Sequence, residues 1–357
     1  MVHEMSELQI SLLIIGIAVV LAVYIYSWRQ QRQHRRRFGA AFKHGHEDAL
    51  YRPATGKPVD ELLVGEMEQA LPNEPLPGHM ADGVCVPLDA ATDYIAVISL
   101  KSPAGANALA SLWQQRFGFG KNIHVCGVNA ASGTWEKVLA ESPGAYSMFK
   151  LAVQLSNRSG AVSEGRLADF RDLARMIATQ LQADVALPDV AQAAVRAQEL
   201  DKFCATVDQM IGLNIVPGGE RTFSGGEVAH VAGQHGMGLQ ADGAFHLLDV
   251  HGHALFSLGN CDNTPFQHHT LDQMWVSGLT LLLDVPRVEQ PAQRFDQMAV
   301  LARQLAMDLH AAVVDDHRVA LGEAGIAQIR GQIAAIESQM LSGNVMPGSA
   351  QARRLFS

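Results

Sequence analysis

Residues 8–28 read LQISLLIIGIAVVLAVYIYSW, an apolar run with no charged residue inside it. A bilayer core of about 30 Å needs about 20 apolar residues at about 1.5 Å rise each. This run meets that length, and a helix satisfies its own backbone polar groups, as hydrocarbon demands. Leu12, Ile15 and Val19 lie in its body, and Tyr24, Tyr26 and Trp28 cluster at one end, where interfacial aromatics belong. Arg29, Arg32, Arg35, Arg36 and Arg37 follow at once, whereas Glu4 and Glu7 precede the run. By the positive-inside rule the short N-terminus faces out and the remainder faces the cytoplasm. A cleaved secretory signal needs a basic start and a shorter apolar core, and this start is acidic. The arginines stop transfer, and they can also hold anionic lipid head groups. The expectation is a bitopic protein with a single membrane span and its long C-terminal part in the cytoplasm.

Charge narrows the partners. The net charge is −9; residues 1–52 carry +3, so the rest carries −12. Phosphate contact needs a basic face, so nucleic acid is excluded as a partner of the body. Cys85, Cys126, Cys204 and Cys261 form no CxxC pair, and in a cytoplasmic compartment they are expected as reduced thiols.

The reading along the chain is an anchor (1–28), a basic juxtamembrane stretch with a Pro/Gly-rich tether (29–90), two α+β units (91–204 and 205–342) and a flexible tail (343–357). The tether holds Pro53, Pro58, Pro72, Pro75, Pro77 and Pro87 and one short helical pattern at 60–70. In the first unit, strands are predicted at 94–100, 122–128 and 149–155, and helices at 107–117, 167–182 and 191–203. In the second, strands are predicted at 210–216, 244–250, 254–258 and 279–285, and helices at 225–234, 295–310 and 323–341.

The order recurs in letters. IHVCGV at 123–128 sits over FHLLDV at 245–250, and FKLAVQL at 149–155 sits over LTLLLDV at 279–285. LARMIATQLQADV at 173–185 sits over LARQLAMDLHAAV at 301–313. Duplication of one unit accounts for three blocks in one order; convergent helix patterning is the bland alternative.

The second half also resembles a known family. AFHLLDVHGHALFSLGN, then GLTLLLDVP, then FDQMAVLARQLAMDLHAAVVDDHR are similar to the C-terminal domain of ZipA, a membrane-anchored division protein. The resemblance covers about 205–340, with ALFSL at 254–258, LLDVP at 282–286 and VVDDHR at 313–318 as its landmarks. It implies a split β-α-β domain, an antiparallel sheet with helices on one face, and together with the repeat the expected α+β fold is two such related units. The unit at 91–204 would be a degenerate copy standing where a longer linker is expected. The resemblance further implies a shallow apolar groove that receives the C-terminal peptide of FtsZ, and a division-site adaptor rather than an enzyme.

Strand parity locates that groove in part. Leu279, Leu281, Leu283 and Val285 make the longer apolar row of their strand, so they should meet the helices and leave Leu282 on the open face. Phe256 and Leu258 likewise point inward, and Gly259 and Cys261 outward. The family pattern puts Leu213 and Ile215 on the groove, although parity in their strand leaves the choice open. The expected partner site is Leu213, Ile215, Gly259, Cys261, Thr280 and Leu282. Asp242 stands where the family carries a larger apolar residue and would repel an acidic tail. An alternative reading gives the groove to another division or envelope protein.

Other constellations carry little. His246, His251, His253, His268 and His269 lack a ligand spacing for metal and read as surface residues. Gly118-Phe119-Gly120-Lys121 and Gly218-Gly219 do not complete a phosphate loop. Asp315-Asp316 reads as capping in a loop rather than as an acid–base pair. No catalytic group, metal, cofactor or small-molecule substrate is expected.

Overall fold

The computed structural model describes residues 88–315 and 318–357. The expected anchor, the arginines after it and the helical pattern at 60–70 lie outside the described residues. Among the described residues no helix is long and apolar enough to cross a membrane.

The first half runs β1 (Asp93–Gly105), α1 (Ala110–Gln115), β2 (Ile123–Asn129), β3 (Trp135–Lys137), β4 (Ala145–Gln154), α2 (Glu164–Gln180), β5 (Asp184–Ala186) and α3 (Val190–Val207). Its sheet has the order β3-β2-β4-β1-β5. The second half runs β6 (Met210–Pro217), α4 (Gly225–Gln234), β7 (Gly238–Leu239), β8 (Phe245–Leu248), β9 (Ala254–Asn260), β10 (Leu279–Asp284), α5 (Pro291–Asp308), β11 (Ala311–Val314) and α6 (Glu323–Ser342). Its order is β7-β8-β9-β10-β6-β11. The pairings are antiparallel in both sheets.

Local chemistry explains the helix starts. The side chains of Ser163, Asp189 and Ser224 accept the backbone N–H of Arg166, Gln192 and Glu227 respectively, which satisfies N–H groups the helix cannot. α5 starts instead on Pro291, whose missing N–H costs nothing there. In α2, Leu167, Phe170, Leu173, Ala174, Ile177 and Ala178 recur at helical spacing and are buried. Phe170 meets Phe119 and Tyr94 edge-on, at 5.4 and 6.0 Å between ring centroids.

Two of the three repeated blocks occupy matching places. β4 and β10 each sit beside the first strand of their half, and α2–β5 and α5–β11 each supply the next helix and strand. Gln182 and His310, aligned by the repeat, both adopt left-handed backbone, with φ of 51° and 50°. The same bonds precede them: Leu181 N–H to Ile177 O, and Leu309 N–H to Leu305 O. The first block differs. β2 pairs with β4, but β8 pairs with β9, and β9 holds the place beside β10.

The flexible tail expected at 343–357 is instead folded. α7 (Ala350–Leu355) buries Ala352, Leu355 and Phe356 in the core of the second half, and Val345 is 3% exposed. The sequence carried the signal: Ser349 caps, and the three buried residues are spaced to share one helix face. Cys126 also departs from expectation: it is disulfide-bonded, whereas Cys204 and Cys261 are free.

The halves are stitched by charge. A hairpin at 156–161 carries Arg158 to Asp208 and Asp284. Lys121 holds that hairpin, donating to Ser159 Oγ at 2.9 Å and to Asn157 Oδ1 and Gly160 O. From α7, Arg354 pairs with the fully buried Asp93, and Gln154 Nε2 donates to Arg354 O at 2.9 Å.

Candidate functional site: the open face of the second sheet

β10 is the reference strand. Leu279, Leu281, Leu283 and the following Val285 are all 0% exposed and join the core under the helices. Alternation puts Thr280, Leu282 and Asp284 on the other face. Leu281 lies opposite Leu213 and Leu258, and Leu279 lies opposite Ile215. Directly opposed residues share a face, so Leu213 and Ile215 belong to the core, at 1% and 0% exposure. Their expected place on the groove is therefore corrected. The register decides what parity in β6 left open: with Leu213 against Leu281 and Ile215 against Leu279, Gly212 and Asn214 face outward.

The open face can be laid out in rows. Gly259, Thr280 and Asn214 form one; Ser257, Leu282 and Gly212 form the next; Asp284 and Met210 close it. Beyond Gly259, Cys261 N–H donates to Gly278 O at 3.1 Å, and Gly278 lies against Val216. Of the expected groove residues, Gly259, Cys261, Thr280 and Leu282 share this face. Met210, Gly212, Asn214 and Val216 join them.

Small residues shape the floor. A Cβ at Gly212 would stand 3.4 Å from Thr280 Cγ2 and 3.5 Å from Leu282 Cδ2, so both side chains lean across that glycine. A Cβ at Gly259 would meet nothing within 4 Å. Met210, Val216 and Leu282 are half-buried and lie outside the hydrophobic core. Thr280 Oγ1 donates to Asn214 Oδ1 at 2.8 Å, which leaves one internally paired polar spot among them. His246, opposite Ser257, meets Asp242 with Nε2 and Oδ2 2.8 Å apart. The Asp242 carboxylate is thus held by a neighbour.

One end of the face is walled. Arg158 Nη1 and Nη2 each lie 2.8 Å from an Asp284 oxygen, and Nη2 lies 2.6 Å from Asp208 Oδ1. Burial raises the Asp284 pKa, and the hydrogen bonds and charge of Arg158 pull against it. Burial works to lower the Arg158 pKa, but its bonds to the two carboxylates outweigh that and hold it above the ordinary guanidinium value.

His251 and His253 have a local role. Asp249 accepts the backbone N–H groups of His251 and His253, both at 2.8 Å, which pins the β8–β9 turn. Burial alone would raise its pKa, yet those bonds and the His253 ring hold it below the usual carboxylate range. Among the described residues no three His, Cys, Asp or Glu side chains gather as metal ligands. The open face offers apolar contact and close approach, which suit the binding of a chain.

Comparison with known proteins agrees with the sequence reading. A 140-residue stretch, 38% of this chain, is 26% identical to "Cell division protein ZipA" of Pseudomonas putida (strain W619). The stretch spans 48% of that relative, so the chain matches about half of its length. The family model that matches is "ZipA, C-terminal FtsZ-binding domain", over residues 209–332. The second half of this chain, with its open-faced antiparallel sheet, is thus similar to the ZipA C-terminal domain.

Proposed function

We propose that this chain is a cell-division adaptor that takes the C-terminal peptide of FtsZ on the open face of β9, β10 and β6. The observation that carries the reading is the family match at 209–332 coinciding with a face that is apolar and unfilled at Gly259. A helical peptide can lay an apolar stripe over Leu282, Met210 and Val216 and approach closely at Gly259 and Gly278. Burial of about 300 Å² is worth about 7 kcal/mol at about 25 cal/mol per Å². Ordering a flexible tail takes back much of it, so single contacts are modest and a polymer presenting many tails holds by avidity.

The apolar run at 8–28 and its arginines support one span in the inner membrane with the body cytoplasmic, and the family match supports a place at the division site and an adaptor role without catalysis. The first half is read as a degenerate copy of the second. The shared positions of β4 and β10, and the matched left-handed residues Gln182 and His310, support that reading.

Isothermal titration of residues 88–357 with an FtsZ tail peptide tests the function, because both halves and α7 are then kept together. The expected result is saturable binding that Leu282→Asp weakens about tenfold or more. Absence of binding to both the peptide and FtsZ polymer would overturn it. Recovery of another division or envelope protein in preference to FtsZ would favour a different occupant of the same face.

A further inference from the structure

The first sheet also has an open face, and it holds a cleft of about 640 Å³. Ile95 and Val97 line it beside Lys150, Asp93 and Arg196, with Ala90, Ala91 and Pro188 at its edge. The charges are unbalanced. Asp93 is engaged by Arg354, so its carboxylate is already answered. Lys150 stacks over the Trp135 ring at 4.3 Å, and Arg196 Nε is buried with no hydrogen-bond partner. Two cations beside an apolar floor, in a body of strongly acidic charge, call for an acidic segment with apolar side chains.

The chain itself contains such a segment. Residues 60–70 read DELLVGEMEQA: Asp60, Glu61, Glu66 and Glu68 with Leu62, Leu63, Val64 and Met67, and no Lys or Arg. It joins the described structure at the edge of this cleft, since Ala90 and Ala91 line it. Residues 71–89 separate the two, and nineteen residues reach about 65 Å at most. A connection of that length gives an effective concentration in the millimolar range. We infer that residues 60–70 dock in the Ile95–Val97 cleft of the same chain, their carboxylates meeting Arg196 and Lys150. The inference stands apart from what the second sheet binds.

Hydrogen–deuterium exchange of the full chain in detergent micelles tests it. Amides at 60–70 are expected to exchange about tenfold slower than those at 76–84. Glu61→Lys with Glu66→Lys and Glu68→Lys should abolish that protection without touching the folded body, and adding Arg196→Glu to that triple variant should partly restore it. Equal exchange at 60–70 and 76–84 in the unaltered chain would overturn the inference. So would protection that the triple variant leaves intact, or protection that disappears on dilution, which would place a second copy in the cleft.

Discussion

Arg158 meets Asp284 through two parallel contacts, Nη1 to Oδ2 and Nη2 to Oδ1, both 2.8 Å, across the boundary between the halves. The same guanidinium holds Asp208. All three side chains are less than a third exposed. Arg158→Leu would leave two carboxylates facing each other in a poorly hydrated place, at a cost of about 3 kcal/mol. Urea denaturation of residues 88–357 should show that loss. Arg158→Leu combined with Asp284→Asn and Asp208→Asn should recover much of it, because no uncompensated charge then remains.

Neighbouring leucines on β10 should behave as opposites. Leu281→Asp buries an unpaired charge and should cost about 4 kcal/mol or more, enough to unfold the second half. Leu282→Asp, on the open face, should change stability by about 1 kcal/mol at most while weakening peptide binding. Gly259→Phe should separate binding from folding more cleanly still, since its side chain projects into open space. Thermal unfolding and peptide titration of the three variants check the set, and equal unfolding by the two leucine variants would sink the facing of β10.

His124 should give the chain an acid sensitivity. Burial, Arg354 and Lys137 push its imidazole down to about 4 against the pull of Asp93, and its Nε2 has no partner. In the unfolded chain the ring takes its proton near pH 6.5. Between those values the unfolded state holds more protons, so stability falls as pH drops from about 6.5 towards about 4, and the loss is absent above that window. The drop should be about 2 kcal/mol after allowing for the ring's residual exposure. Denaturation midpoints at pH 7.5 and 4.5 should differ less in His124→Leu than in the unaltered chain.

α7 should matter to the second half as a core element. Phe356 is 1% exposed and lies within the same cluster as Phe295 and Leu283. Phe356→Ala should cost about 3–4 kcal/mol. Calorimetry that finds the melting temperature unchanged would mean the residue is peripheral.

Much of the fold was legible because long elements carry their period openly. The row Leu279, Leu281, Leu283, Val285 identified the central strand and its inward face, and Ser163 and Ser224 marked helix starts. Short elements were not legible. β3 (Trp135–Lys137) and β5 (Asp184–Ala186) are edge strands of three residues, too brief to show alternation. The groove was half legible. Leu282, Thr280, Gly259 and Cys261 follow from parity, but the outward row of β6 is Gly212 and Asn214, residues with little apolar signature. They are recognised as floor only when the register places them beside Leu282 and Thr280. The paired blocks at 123–128 and 245–250 misled for a related reason. Similar β-rich letters say that a strand forms, not which neighbour it takes.

Asp93 sits wholly out of water and finds its counter-charge in Arg354, 261 residues later. During synthesis, at about 5–20 residues per second, that arginine follows the aspartate by about 13–50 s. Throughout that interval the first sheet, whose own strands are finished by Ala186, answers that carboxylate with the Asp89 N–H and the Thr92 hydroxyl, and with no counter-charge from Arg354. The nascent first half therefore carries a carboxylate without its counter-charge at β1 until the far end of the polypeptide arrives to seal it.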